Sequence, residues 1–262
     1  MRIDVQGHST FVYTGGKLPT ADKPSLVFIH GAQQDHSCWA LQSRWFAYHG
    51  FNVIAVDLPA HGQSYGQPLT SIEAMSAWLV ALLDALSIPQ AALIGHSMGS
   101  LIALETSLST PTRISKTVLI GTALPMPVAP MLLDAARDNP TQAAAMINNW
   151  SYSPQRQLGG SAVPGLWLLG MNERLMARQG KGTFYADLSA CNAYQRDIAS
   201  LSALTQPVLI IAGSQDRMTS PKVTNAMLAA IPQARLVTLA AGHALMAEQP
   251  DAVLESLIAF LC

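Results

Sequence analysis

Gly95-His96-Ser97-Met98-Gly99 lies between an apolar run, Ala91-Ala92-Leu93-Ile94, and the helix-like Ser100-Leu101-Ile102-Ala103-Leu104-Glu105. A serine on so tight a strand-to-helix turn is held in a strained backbone geometry, with its hydroxyl projecting beyond the sheet edge. The flanking glycines remove side chains that would collide with the neighbouring strand and helix. The same pattern fits an ordinary buried turn, so the chemistry depends on partners supplied by later residues. A serine hydroxyl at its ordinary pKa is a poor nucleophile and needs a base to take its proton.

Two later positions supply what is needed. Pro207 to Gly213 reads as a buried strand, with Asp216 just past its end. Arg235 to Leu239 reads as the next strand, with Ala240-Ala241-Gly242-His243 directly after it. Taken alone, Asp216 could cap a helix starting at Pro221, and His243 could be a plain loop residue. Together with Ser97 they form a nucleophile, an acid and a base in order. His243 then accepts the serine proton during attack and returns it to the leaving group, while Asp216 holds the imidazole tautomer and stabilises its transient charge. Asp57, the other carboxylate near a strand end, precedes the nucleophile and is a poor choice of acid.

Hydropathy locates the elements that must position these groups. Short apolar runs at 25–30, 52–57, 91–96 and 117–122 alternate with helical patterns near 36–48, 71–86 and 97–109. Such alternation predicts a mainly parallel sheet flanked by helices on both faces, an α/β fold. Residues 1–13 read as one or two antiparallel edge strands. After Thr122 the rhythm stops, and residues 123–195 show helical stretches broken by prolines and glycines but no strand. Strands return at 207–213 and 234–240, and a helix closes the chain at about 250–261.

The chain resembles the α/β-hydrolase superfamily over nearly its whole length. Leu26-Val27-Phe28-Ile29-His30-Gly31-Ala32 is similar to the family's strand and oxyanion turn. Val53 to Asp57, continuing as Leu58-Pro59-Ala60-His61-Gly62-Gln63-Ser64, is similar to its next strand and loop, with Ala60 where a glycine is common. Gly213-Ser214-Gln215-Asp216 with Pro221, and Gly242-His243 ahead of a final helix, complete the match. The resemblance implies a core of residues 1–122 and 196–262, with 123–195 inserted as a helical cap (lid) over the site. It also implies that the backbone N–H groups of Ala32 and Met98 form an oxyanion hole. Five of the eleven methionines, with Trp150 and Trp167, fall in the insertion. Methionine adapts to irregular apolar shapes, and Met126, Met146 and Trp150 are the expected substrate-binding residues, although packing of the cap onto the core explains any one of them.

Composition bounds the partners. Of 262 residues half are apolar and 12% charged, with a net charge of −1 and the 15 lysines and arginines scattered singly. There is no basic run to grip phosphates, so nucleic acid is not an expected partner. No segment reaches the roughly 18 apolar residues of a membrane span, and the N-terminus lacks a signal-like apolar stretch. Three distant cysteines, Cys38, Cys191 and Cys262, fit free thiols in a reducing, cytoplasmic setting. The chemistry requires no metal or organic cofactor. His30, His36 and His96 could be imagined as a metal cluster, but no companion ligand is spaced for one, and His61 and Ser64 read as residues that fix the loop after Asp57. Three functions fit: hydrolysis of a small, largely apolar ester or lactone; other chemistry by the same groups, on a carbon–carbon bond, an amide, an N-terminal proline or in perhydrolysis; and a slow-turnover receptor that retains the pocket.

Overall fold

The computed structural model describes residues 1–161 and 163–262. Eight strands form one sheet: β1 (Arg2–Val5), β2 (His8–Tyr13), β3 (Ser25–Ile29), β4 (Asn52–Val56), β5 (Ala91–His96), β6 (Ile114–Ile120), β7 (Val208–Gly213) and β8 (Ala234–Leu239). Their order is β1-β2-β4-β3-β5-β6-β7-β8. The first pair and the β2–β4 contact are antiparallel; every other pairing is parallel.

Side-chain alternation along β3 builds a core on each face of the sheet. Val27 and Ile29 pack to one side, in a cluster with residues of α2 (Ile72–Ala85) and α3 (Met98–Ser109). Leu26 and Phe28 pack to the other, against α1 (Ala40–Tyr48) and α11 (Pro250–Leu261). Strands buried on both faces read as continuous apolar runs, which is why β3, β4 and β5 stand out in the sequence.

Two boundaries differ from expectation. The helix expected at 36–48 begins as a 3-10 turn, His36–Trp39, capped by Asp35, whose side chain accepts the N–H of Ser37. β6 starts three residues before its apolar run. Its Lys116 is polar, but the amine donates to the carbonyls of Phe260 and Leu261 at the end of α11.

Between β6 and β7 lie α4 (Pro130–Asp138), α5 (Pro140–Ser151), α6 (Pro154–Gln157), α7 (Leu168–Ala177) and α8 (Thr183–Ala193). No strand interrupts them among the described residues. They carry a small apolar cluster of their own, with Leu132, Ala143, Phe184 and Leu188 buried. Beyond α8, Tyr194 and Arg196 tie the segment back to the buried Glu105 of α3, by hydrogen bonds of 2.6–2.9 Å. The chain then passes into α9 (Pro221–Ala230), β8, α10 (Leu245–Glu248) and α11.

Candidate active site

Ser97 sits between β5 and α3 at φ 52° and ψ −119°, a backbone conformation rare for a residue with a side chain. The glycines around it are there for close approach. A Cβ at Gly95 would strike the backbone of Gly99, and one at Gly99 would strike the carbonyls of Ile29 and His30. Packing this tight seats the N-terminus of α3 directly against the end of β3.

Asp216 and His243 come together from the loops after β7 and β8. His243 Nδ1 lies 2.8 Å from Asp216 Oδ2. The hydroxyl of Thr219 donates to the same oxygen at 2.6 Å, and the amides of Met218 and Thr219 donate to Oδ1. Burial works against the charge on Asp216, but His243 and Thr219 overcome it and hold the carboxyl well below the usual carboxylate range. His243 Nε2 is buried and has no hydrogen-bond partner among the described residues. Ser97 and His243 border one cavity of about 190 Å³, and no hydrogen bond joins them.

Ala32 follows the turn after β3 and borders the cavity, and Met98, whose side chain is buried, directly follows Ser97. Met98 opens α3, where backbone N–H groups lack a helical partner. No hydrogen bond engages the N–H of Ala32 among the described residues. His30 buttresses the first turn: Leu58 N–H donates to its Nε2, so its Nδ1 carries the proton and donates to Gly31 O at 2.8 Å. Burial, with His61 close by, pulls His30 down to about 4. His96 is likewise neutral, pulled down to about 3 by burial beside His243, and its Nε2 donates to the His243 carbonyl.

Residues between β6 and β7 line much of the remaining cavity wall. Met126 and Trp150 border it, together with Leu132, Ile147, Met176 and Phe184. Met146 does not. On α5 the cavity face is set by Ile147, Trp150 and Ser151, and at about 100° per residue Met146 stands roughly a quarter-turn away. It packs on the apolar cluster of these helices, as Ile147 and Trp150 also do, but without reaching the cavity wall. Met131, Met171 and Trp167 are exposed. Polar groups also reach the wall: Gln34, Asn172 and Arg217.

Ser64 secures the loop after β4, donating to Asp57 O and accepting from Phe11 N. His61 does more than hold that loop, because its Nε2 meets Asp187 of α8 at 2.8 Å. Ala60 occupies φ 66°, the left-handed region that explains why glycine is common there. Asp35, His36 and Asp57 form the metal-capable trio among the described residues. Their atoms are engaged in hydrogen bonds: His36 and the amide of Gln63 to Asp57, and Arg178 and Ser37 to Asp35.

Sequence reasoning passed over two buried acids that contact the site loops, Asp187 and Glu248. Glu248 accepts from Gly242 N at 2.9 Å and from the amide and hydroxyl of Ser153. Each acid meets partners far away in the chain, and no local pattern marks either one.

A strand–Ser–helix turn with an Asp–His pair at successive strand ends defines the class, and residues 26–256 match the alpha/beta hydrolase family. The chain belongs to that family. It is 30% identical over 215 residues to the esterase YbfF of Escherichia coli (strain K12), covering 80% of this chain and 82% of the relative. It is 29% identical over 244 residues to 3-oxoadipate enol-lactonase 2 of Acinetobacter baylyi, covering 88% and 86%. The solved enol-lactonase from Burkholderia xenovorans LB400 superposes with a TM-score of 0.89 at 24% identity, covering 100% of this chain and 99% of that one, which shows the shared fold. The relatives are hydrolases and esterases, which supports an enzyme. No helix among the described residues is long and apolar enough to cross a membrane.

Proposed function

We propose that this chain is a serine hydrolase that cleaves a small, largely apolar carboxylic ester or lactone through an acyl-enzyme on Ser97. One observation carries the reading: His243 is tethered to Asp216 through Nδ1, its Nε2 has no hydrogen-bond partner among the described residues, and it shares a cavity wall with Ser97. Ser97 Oγ attacks the carbonyl carbon as its proton passes to His243 Nε2, and the carbonyl electron pair moves onto oxygen. The N–H groups of Ala32 and Met98 stabilise that oxyanion. Collapse breaks the bond to the leaving oxygen, which takes the proton from His243. A water then repeats the sequence on the acyl-enzyme, releasing the acid and restoring Ser97. Residues 123–195 act as the cap over a core of 1–122 and 196–262, and Met126 and Trp150 shape the pocket.

The test is reaction of the wild-type protein with a fluorophosphonate probe, alongside turnover of a short p-nitrophenyl ester by Ser97→Ala. Labelling at Ser97, with at least 10⁴-fold lower kcat in the variant, supports the reading. Retention of a few per cent of turnover by Ser97→Ala sinks it, and labelling without turnover of any ester points to a slow receptor.

Arg217 favours a second reading of the same chemistry. It borders the cavity next to Asp216 and forms no ion pair among the described residues. A substrate carrying a carboxylate would meet it there, and a lactone is the bond named for one relative. A KM that rises on Arg217→Ala for a carboxylate-bearing lactone, with no change for a neutral ester, supports this version.

A further inference from the structure

Asp187 sits on α8, in the inserted segment, and is fully buried. Both of its hydrogen bonds go to the sheet side of the molecule and both use Oδ2. Gln33 N–H donates to it at 2.8 Å, and His61 Nε2 lies at 2.8 Å. Oδ1 has no partner among the described residues. The second ring nitrogen of His61 faces the carbonyl of Pro59 at 3.0 Å. Carbonyl and carboxylate only accept, so satisfying both takes a ring protonated on both nitrogens, an imidazolium beside the buried Asp187 side chain, and the raised His61 pKa agrees with that geometry.

Such a pair is a poor source of stability, because desolvating two charges offsets most of their attraction. Its effect is geometric. Gln33 directly follows Ala32 and is held at φ 56°, a conformation that persists only where its surroundings fix it. Asp187 holds the Gln33 amide, and Met176 O holds the Gln33 side chain at 3.0 Å. The peptide joining Ala32 to Gln33 is therefore set from the inserted helices.

We propose that Asp187 is a positioning residue for the oxyanion hole: it fixes the Ala32–Gln33 turn so that the Ala32 N–H meets the developing oxyanion. The inserted helices thus carry part of the catalytic geometry as well as roofing the cavity. The inference rests on the reading of Ala32 as an oxyanion donor in a Ser97-dependent hydrolase.

The test compares wild type, Asp187→Leu and Asp187→Asn for kcat and KM on a short p-nitrophenyl ester. It also measures inhibition by a trifluoromethyl ketone, which binds serine as a tetrahedral oxyanion. Loss of one oxyanion donor lowers kcat by about 10²–10³-fold, and small misplacements approach the lower figure. Asp187→Leu is expected to lose about 10²-fold in kcat with KM within about threefold, and to lose ketone affinity in proportion. Asp187→Asn keeps the shape and a neutral acceptor, so about tenfold is expected, and it decides the matter if the leucine variant does not fold. A lowered Tm with kcat within threefold of wild type overturns the proposal, and so does a fall in kcat without matching loss of ketone affinity. If Ser97→Ala itself retains turnover, the reading of the whole site fails; if Ser97→Ala is dead and the Asp187 variants are fully active, only this inference fails.

Discussion

Glu248 Oε1 accepts the backbone N–H of Gly242 at 2.9 Å, one residue before His243. Its carboxylate also takes the amide and hydroxyl of Ser153, while Ser151 O accepts the amides of His243 and Ala244 at 2.7 and 3.0 Å. The loop that carries the imidazole is therefore clamped between α10 and the end of α5. Burial pushes the Glu248 carboxyl up against the lowering effect of these hydrogen bonds. Glu248→Ala should cost about 2–4 kcal/mol by leaving buried donors unsatisfied, whereas Glu248→Gln, which keeps an acceptor, should cost less than half of that. Urea unfolding of the two variants checks the ranking, and equal losses would show that charge, not shape, holds the loop.

Asp216→Asn should disable the base through its tautomer. The amides of Met218 and Thr219 both donate to Oδ1, so an asparagine must keep its oxygen there and turn its NH₂ toward His243. That NH₂ donates to Nδ1 and forces the proton onto Nε2, where it blocks acceptance from Ser97. A fall of about 10⁴-fold in kcat with the fold intact is expected by analogy with the serine-protease triad. A variant within tenfold of wild type would rule out Asp216 as the orienting acid.

Stability should peak near pH 6.5, the ordinary histidine value. His30 and His96 titrate at about 4 and about 3 in the fold, both lowered chiefly by burial. The unfolded chain binds their protons first as pH falls below 6.5, so the stability they contribute above 6.5 is lost on the way down, at about 1.4 kcal/mol per pH unit for each. His61 has the opposite sign: burial opposes its charge, but the Asp187 carboxylate raises its pKa. Its contribution is complete below 6.5 and is lost as pH rises through the raised value. Urea midpoints between pH 4.5 and 8.5 should trace this peak, and His61→Gln should flatten the alkaline side most and ease the acid side only by the share of the His30 shift that His61 causes. A profile without an alkaline fall in the wild type would contradict the charged His61–Asp187 pair.

Chain-length preference should follow the cavity. Each buried methylene adds about 0.8 kcal/mol, about fourfold in kcat/KM, until the acyl chain outgrows the space and overpacking costs about 1–3 kcal/mol. With about 190 Å³ available, kcat/KM for p-nitrophenyl esters should peak at short to medium acyl chains. Trp150→Ala opens the wall and should move the peak to longer chains. Activity that climbs steadily into long-chain emulsions in the wild type would mean the inserted helices do not close the pocket.

The β–α order, the strained Ser97 turn and the positions of Asp216 and His243 past their strands were legible in the sequence. All of these are local: apolar runs mark strands buried on both faces, and glycines mark where backbone meets backbone. The α/β fold follows from that alternation, since parallel strands need helical crossovers. Tertiary structure alone decided that α5 turns Ile147 and Trp150, and not Met146, toward the cavity. It alone brought Asp187 to the turn beside Ala32, 154 residues away from Gln33 in the chain, and Glu248 to Ser153, 95 residues away. A buried carboxylate is stable only beside donors, and which donors it meets depends on how separate elements pack, so nothing in the sequence around Asp187 or Glu248 announces them.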